Sequence, residues 1–174
     1  EVATNEYARL TPKDSNGVLG QTVEFDIPKV IYTVSERSLS YDANGGEGAI
    51  DSATGVAGES VTVAENVFTR NNYTFTGWNT QADGKGTAYK PGDSFTLTDE
   101  DTVLYAQWNK LVTVSFDLCG HGGANIPSQT FVSGNKASEP TAPKEDGWVF
   151  GGWYTEKGCQ YRFSFDSAVT SDIT

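Results

Sequence analysis

Tyr73, Thr74, Phe75, Thr76, Gly77, Trp78, Asn79 and Thr80 spell a phrase that returns once in the chain. Its second appearance is Trp148, Val149, Phe150, Gly151, Gly152, Trp153, Tyr154 and Thr155, which keeps an aromatic first, Phe third, Gly-Trp fifth and sixth, and Thr eighth. Gly77 to Gly152 and Trp78 to Trp153 are both steps of 75 residues. Working outward at that step, Tyr41 falls on Phe116, Asp42 on Asp117 and Gly45 on Gly120, while Pro140 stands where the first copy has Glu65. A constant spacing between unrelated landmarks is the mark of an internal repeat. Beyond the phrase the step shortens to 72, from Tyr89 to Tyr161, which places a small length difference in a loop, where repeats are free to differ. The division expected is an N-terminal β segment over 1–38, module one over 39–108 and module two over 112–174.

Within the phrase, Tyr73 and Phe75 share one face of a strand. Gly77 permits a bend, and Trp78 then steps out of the alternation, as it does in a β-bulge. Module one opens on Leu39-Ser40-Tyr41 and the turn Asp42-Ala43-Asn44-Gly45-Gly46, whose Asn and Gly residues accept positive φ cheaply. It closes with Leu104, Ala106 and Trp108 inward and Tyr105 and Gln107 outward. Asn109, Lys110 and Leu111 then join it to Val112, Val114 and Phe116, the first strand of module two. A three-residue join reaches only about 10 Å, so the modules are expected to stand end to end. Upstream, Thr11–Gly17 is a turn cluster, Val23, Phe25 and Ile27 alternate as a strand, and Val30–Val34 is a β-prone run after Pro28. Neither module has the 3.6-residue period of a long amphipathic helix, so the fold class is mostly β with at most one short helical turn.

The chain carries 23 acidic and 12 basic residues, a net charge of −11, distributed as −2, −7 and −2 over residues 1–38, 39–108 and 109–174. Nucleic acid and anionic lipid both require clustered Lys and Arg, so neither is expected as a partner. No apolar run approaches the ~18 residues of a membrane span, so direct membrane insertion is not expected. The sequence holds no Met, and we expect a mature or excised piece of a longer protein.

The order of strand, Asp-x-x-Gly turn, aromatic-x-Phe-x-Gly-Trp and closing Leu-Tyr-Ala-x-Trp resembles the Listeria/Bacteroides repeat family, the module type called the B-repeat in internalins. Its motifs are Tyr73, Phe75, Gly77, Trp78 and Leu104–Trp108 in module one, and Trp148, Phe150, Gly152 and Trp153 in module two. The resemblance covers 39–174 and implies small β-grasp, ubiquitin-like modules in tandem on a bacterial surface protein, without catalysis or cofactor. Module two departs from it by reaching Thr174 where module one goes on to Leu104–Trp108. By the resemblance that strand is central in the sheet, so module two is expected to be short of it or to take it from a neighbouring chain.

Cys119 and Cys159 lie at loop edges of one small secreted-type module, a setting that suggests a disulfide, with free thiols as the alternative. Closing that loop would add about 4 kcal/mol on the chain-entropy view. Cys119, His121 and Cys159 offer at most three zinc ligands and no Cys-x-x-Cys pair, so no metal site is expected. As a nucleophile pair, Cys119 and His121 have nothing to orient the imidazole. Asp42-Ala43-Asn44-Gly45 lacks the Glu that a calcium loop places twelfth, since Ala53 stands there. Carboxylates are plentiful but follow no glycosidase pattern. No catalytic residue is therefore assigned. The repeat-signature core is taken to be Tyr73, Phe75, Gly77, Trp78, Trp108, Trp148, Phe150, Gly152 and Trp153. The function expected is a semi-rigid spacer in the extracellular part of a cell-surface or cell-wall protein, presenting an adhesive or receptor-binding domain, with neighbouring repeats as its partners. The alternative is weak binding of a host glycan or surface protein, as an accessory to a secreted carbohydrate-active enzyme.

Overall fold

A computed structural model describes residues 6–21, 23–27, 35–121 and 124–174. The chain divides into two compact units, Glu1–Ser35 and Glu36–Thr174. In the first, β1 (Glu6–Leu10) runs antiparallel to β2 (Val23–Ile27), with Glu6 opposite Ile27 and Leu10 opposite Val23. The turn between them is built on Asp14, whose Oδ1 accepts from the amides of Asn16 and Val18 at 2.8 Å each. Strand β2 is the one expected from Val23, Phe25 and Ile27. Its partner β1 was not foreseen, because Glu6–Leu10 is too short and mixed to show a period. The run expected at Val30–Val34 lies outside the described residues.

The second unit contains β3 (Glu36–Asp42), β4 (Ala53–Val56), β5 (Ser60–Thr62), β6 (Tyr73–Asn79), β7 (Ala88–Tyr89), β8 (Ser94–Thr96), β9 (Thr102–Val114) and β10 (Gln129–Val132). Its main sheet has the order β4-β3-β9-β6-β7, with β10 added to β9, and β5 pairs with β8 as a separate ladder. The β3–β9 pair is parallel and the other ladders are antiparallel. The fold is mostly β, and neither a helix nor the short helical turn allowed by the sequence lies among the described residues.

Module one is held by Leu39, Val63, Phe68, Trp78, Phe95, Leu97, Leu104 and Ala106, all buried. Trp78 is the hub. Its ring meets Tyr41 at 4.9 Å, Phe75 at 5.0 Å and Phe68 at 5.8 Å, in the tilted and edge-on geometries that aromatic quadrupoles favour. Its Nε1 donates to the carbonyl of Ala64 at 3.0 Å, while the amide of Ala64 donates to the Tyr41 hydroxyl at 2.8 Å. One residue of the covering segment is thus clamped by two aromatics of the sheet. The bulge expected in the signature strand falls between Phe75, opposite Trp108, and Gly77, opposite Gln107, leaving Thr76 as the extra residue. Gly77 has φ 145°, and a Cβ there would stand 3.1 Å from the carbonyl oxygen of Tyr89.

The join between modules differs from the reading of Asn109–Leu111 as a gap. Strand β9 runs 13 residues without interruption. Its first half pairs with β3 and β6, Asn109 and Lys110 stand opposite Thr74 and Tyr73, and Leu111 to Val114 pair with Val132 to Gln129. The physical reason is parity. Leu104, Ala106, Trp108, Val112 and Val114 all fall on even positions, so the two-residue period passes through the join without a slip.

Candidate functional site

The two modules share a blueprint. In module one β3 lies parallel to the start of β9, with Leu39 opposite Thr102, and the Asp101 carboxylate accepts from the Ser38 amide at 2.8 Å. Module two repeats both contacts: Val114 forms a parallel bridge with Ile173, and the Asp172 carboxylate accepts from the Thr113 amide at 2.8 Å. Ile173 is therefore the counterpart of Thr102, the first residue of the closing strand. In module one that strand continues between β3 and β6 and buries Leu104 and Ala106 completely. In module two Trp148–Trp153 forms no ladder, and the phrase is held by the bridge Tyr154–Arg162, by the bond from the Phe163 amide to the Trp153 carbonyl at 2.9 Å, by the Arg162 guanidinium donating to the Gly151 carbonyl and by the Trp148 amide donating to the Glu145 carbonyl at 3.1 Å.

Between Val114 and Phe116 on one side and Phe150 and Trp153 on the other lies a groove of about 450 Å³, with Phe163 and Ile173 also lining it. Its aromatic wall repeats the module-one cluster in outline, with Trp153 5.0 Å from Phe116 and 5.2 Å from Phe150. The clamp is missing. Phe116 replaces Tyr41 and has no hydroxyl, and the Nε1 of Trp153 is buried with no hydrogen-bond partner. Such an orphaned donor is costly. Beneath the groove a small core of Val112, Val114, Ala137 and Val169, with Phe131, Phe163 and Phe165 against it, holds the module together.

The rim is polar and mostly acidic, formed by Asp117, Glu145 and Glu156 together with Lys157 and His121. His121 Nδ1 lies 3.1 Å from the Glu145 carboxylate, and its ring is 4.3 Å from that of Trp148. Lys157 Nζ lies 3.6 Å from the Asp117 carboxylate. Glu156 holds its own turn: it accepts from the Thr155 hydroxyl and from the amides of Tyr161 and Gln160. These bonds, the Thr155 hydroxyl foremost, hold its carboxyl below the usual carboxylate range.

The disulfide expected between Cys119 and Cys159 is not formed; both thiols are free and exposed. Each sits at the tip of its own turn with positive φ, 53° and 51°. Cys119 occupies the place of Asn44, and its amide donates to Asp117 Oδ1 at 2.8 Å, as the amide of Asn44 does to Asp42 at 2.7 Å. The turn thus fixes Cys119 regardless of any sulfur partner, and both thiols line the groove mouth without meeting. Among the described residues no group of three His, Cys, Asp or Glu side chains is placed to hold a metal ion.

Of the signature residues, Gly77 and Trp78 are buried, and Tyr73, Phe75, Trp108, Phe150, Gly152 and Trp153 are half-buried. Trp148 is 63% exposed, contrary to its expected place in the core, and its ring stacks on His121 at 4.3 Å. The sequence reading missed the lower core of module two, Ala137, Val169 and Ile173, whose spacing follows neither period. It also missed the groove itself, although the exchange of Tyr41 for Phe116 at the repeat step is a signal that the clamp is not repeated.

The comparisons place these observations. The profile of the Listeria-Bacteroides repeat domain matches residues 38–107 and 113–174. A protein of Evansella cellulosilytica named as a Gly-rich membrane protein is 35% identical over 109 residues, 62% of this chain and 12% of that one. Internalin H of Listeria monocytogenes is 33% identical over 109 residues, 61% of this chain and 19% of that one. The matched stretch therefore spans less than a fifth of either relative. No solved structure matches the chain. The chain belongs to the Listeria-Bacteroides repeat domain family, which it carries in two tandem copies.

Proposed function

We infer that the two modules act as a non-catalytic, semi-rigid spacer on the outside of a bacterial cell, holding an adhesive or receptor-binding domain of a surface protein away from the envelope. The observation that carries this reading is β9. A strand of 13 residues, about 40 Å long, belongs to both modules at once. It is tied on each side of the join by bonds from the Leu111 amide to the Asn72 carbonyl and from the Ser133 amide to the Lys110 carbonyl, both 2.8 Å. Bending at the join requires breaking this ladder, whereas a flexible linker bends freely. The acidic surface keeps such a stalk hydrated and discourages lateral association.

The test is a spin-label distance across the join, with Cys119 and Cys159 changed to Ser and labels at Glu65→Cys and Asp166→Cys, both exposed positions. A single narrow distribution that broadens when two glycines are inserted between Lys110 and Leu111 supports the spacer. A broad distribution in the uninterrupted chain overturns it. Weak recognition of a host glycan is a second reading, favoured by the exposure of Trp148 and Tyr161, 63% and 69%. Its check is a glycan titration that loses saturation with Trp148→Ala.

A further inference from the structure

We propose that module one bears tension along the stalk, through a seam between its first and last strands that a pull on its two ends loads in shear. Strands β3 and β9 are parallel neighbours, with Leu39, Ser40, Tyr41 and Asp42 opposite Thr102, Val103, Leu104 and Tyr105. The chain enters the module at the N-terminal end of β3 and leaves it along β9. Because the two strands point the same way, a pull on those ends slides one along the other. The inter-strand bonds then share the load and break together. A pull on two ends at the same side of the seam opens it one rung at a time.

Three observations place strength at this seam. Side chains strap it at both ends. At the entry the Asp101 carboxylate accepts from the Ser38 amide at 2.8 Å, and the Ser40 hydroxyl donates to the Thr102 carbonyl at 3.3 Å. At the far end Asn44 Nδ2 donates to the Ala106 carbonyl and Trp108 Nε1 to the Ala43 carbonyl, both at 2.9 Å. The seam also lies against the core. Leu39 and Leu104, one on each strand, are fully buried, so sliding drags apolar side chains out of close packing. Finally, β9 is bonded on its other side to β6, from Lys110 opposite Tyr73 to Tyr105 opposite Asn79, so it moves as part of a sheet and not as a loose edge. Strength along the axis is a different property from stiffness at the join: one resists stretching, the other bending.

The test pulls on the whole 174-residue chain, with Cys119 and Cys159 changed to Ser, through DNA handles on cysteine pairs at exposed positions. Glu36→Cys with Lys110→Cys loads the seam in shear, and Glu36→Cys with Glu100→Cys peels it from the entry side. Either pair releases roughly 23 nm of chain when module one unfolds, which identifies the event. At one loading rate the shear pair is expected to rupture at no less than about twice the force of the peel pair, since forced unfolding reports the barrier and the two pulls cross different ones. Asn44→Gly, which accepts the φ of 48° at that position, and Trp108→Phe each remove a strap at the far end. Each should lower the shear force and leave the peel force unchanged, because the rungs at the entry set the latter. Equal forces in the two directions overturn the proposal. An equal fall of both forces in the strap variants also overturns it, because that is a general loss of stability. The two directions are compared in chains that keep both straps, so a strap variant that fails to fold leaves that comparison decisive. A broad spin-label distribution across the join would sink the stiff spacer and leave the ratio of forces as it is.

Discussion

Changing Tyr41 to Phe gives module one the residue that module two already has, and it isolates the clamp on Ala64. The hydroxyl of Tyr41 accepts from the Ala64 amide at 2.8 Å, and the ring stands 4.9 Å from Trp78. The substitution keeps the ring and the packing while removing the acceptor. A net hydrogen bond is worth about 0.5–1.5 kcal/mol, and a buried donor left unsatisfied costs about 1–3 kcal/mol. Tyr41 and Ala64 are half-buried, so water satisfies part of the deficit. The expected loss is therefore about 1–2 kcal/mol. Urea unfolding followed by fluorescence should move to a lower midpoint at unchanged slope, because the surface exposed on unfolding is the same. In a thermal scan the shift is roughly 2–8 °C. Burial also raises the Tyr41 pKa above 10.0, with the Ala64 amide opposing. The protonated phenol is the form the fold favours, so its contribution is complete below the unfolded value and is lost as pH rises through the folded one. The gap between parent and variant should accordingly narrow above pH 10. Coincident midpoints at neutral pH would refute the clamp as a source of stability.

Gly77→Ala should destabilise module one by about 1–3 kcal/mol, since φ is 145° and the new Cβ would stand 3.1 Å from the Tyr89 carbonyl oxygen; a calorimetric midpoint equal to the parent's contradicts this. Glu156 has a depressed pKa, so the bonds it accepts persist above the ordinary carboxylate range and are lost as pH falls through its lower folded value. Amide exchange at Gln160 and Tyr161 should therefore stay slow at pH 5 and speed up only in strong acid, and a loss of protection already at pH 5 would count against the arrangement. Both thiols are exposed, so an aromatic disulfide reagent should titrate two per native chain, at Cys119 and Cys159; zero with the intact unreduced protein would restore the bridge.

Much of the architecture could be read before any coordinates. The repeated phrase located both modules, the alternation through Leu104, Ala106 and Trp108 marked the inward face of β9, and the Gly-Trp pair marked the bulge. The join was misjudged because Asn109, Lys110 and Leu111 look like a linker by composition. Only the pairing of Asn109 and Lys110 with β6, and of Leu111 with Val132, makes them strand. Strand β1 was missed because five mixed residues carry no period of their own and form in pairing with β2. The sulfurs were read as a pair because they share a module, whereas each answers to its own turn.

Trp78 and Trp153 draw the boundary most clearly. Local pattern gave them the same role, because both follow Gly after an aromatic-x-Phe strand, and periodicity and turn chemistry are properties of neighbouring residues. Their surroundings differ because burial is set by what arrives from far along the chain. Trp78 has β9 across the sheet and the Ala64 carbonyl above it, 14 residues away. Trp153 has an open groove and an unsatisfied indole nitrogen. The sequence determined which residues are strand, turn and bulge and that the unit is repeated. The tertiary structure decided that the two modules are fused through one strand, because the pairing of β9 with β6 and then with β10 makes the join continuous.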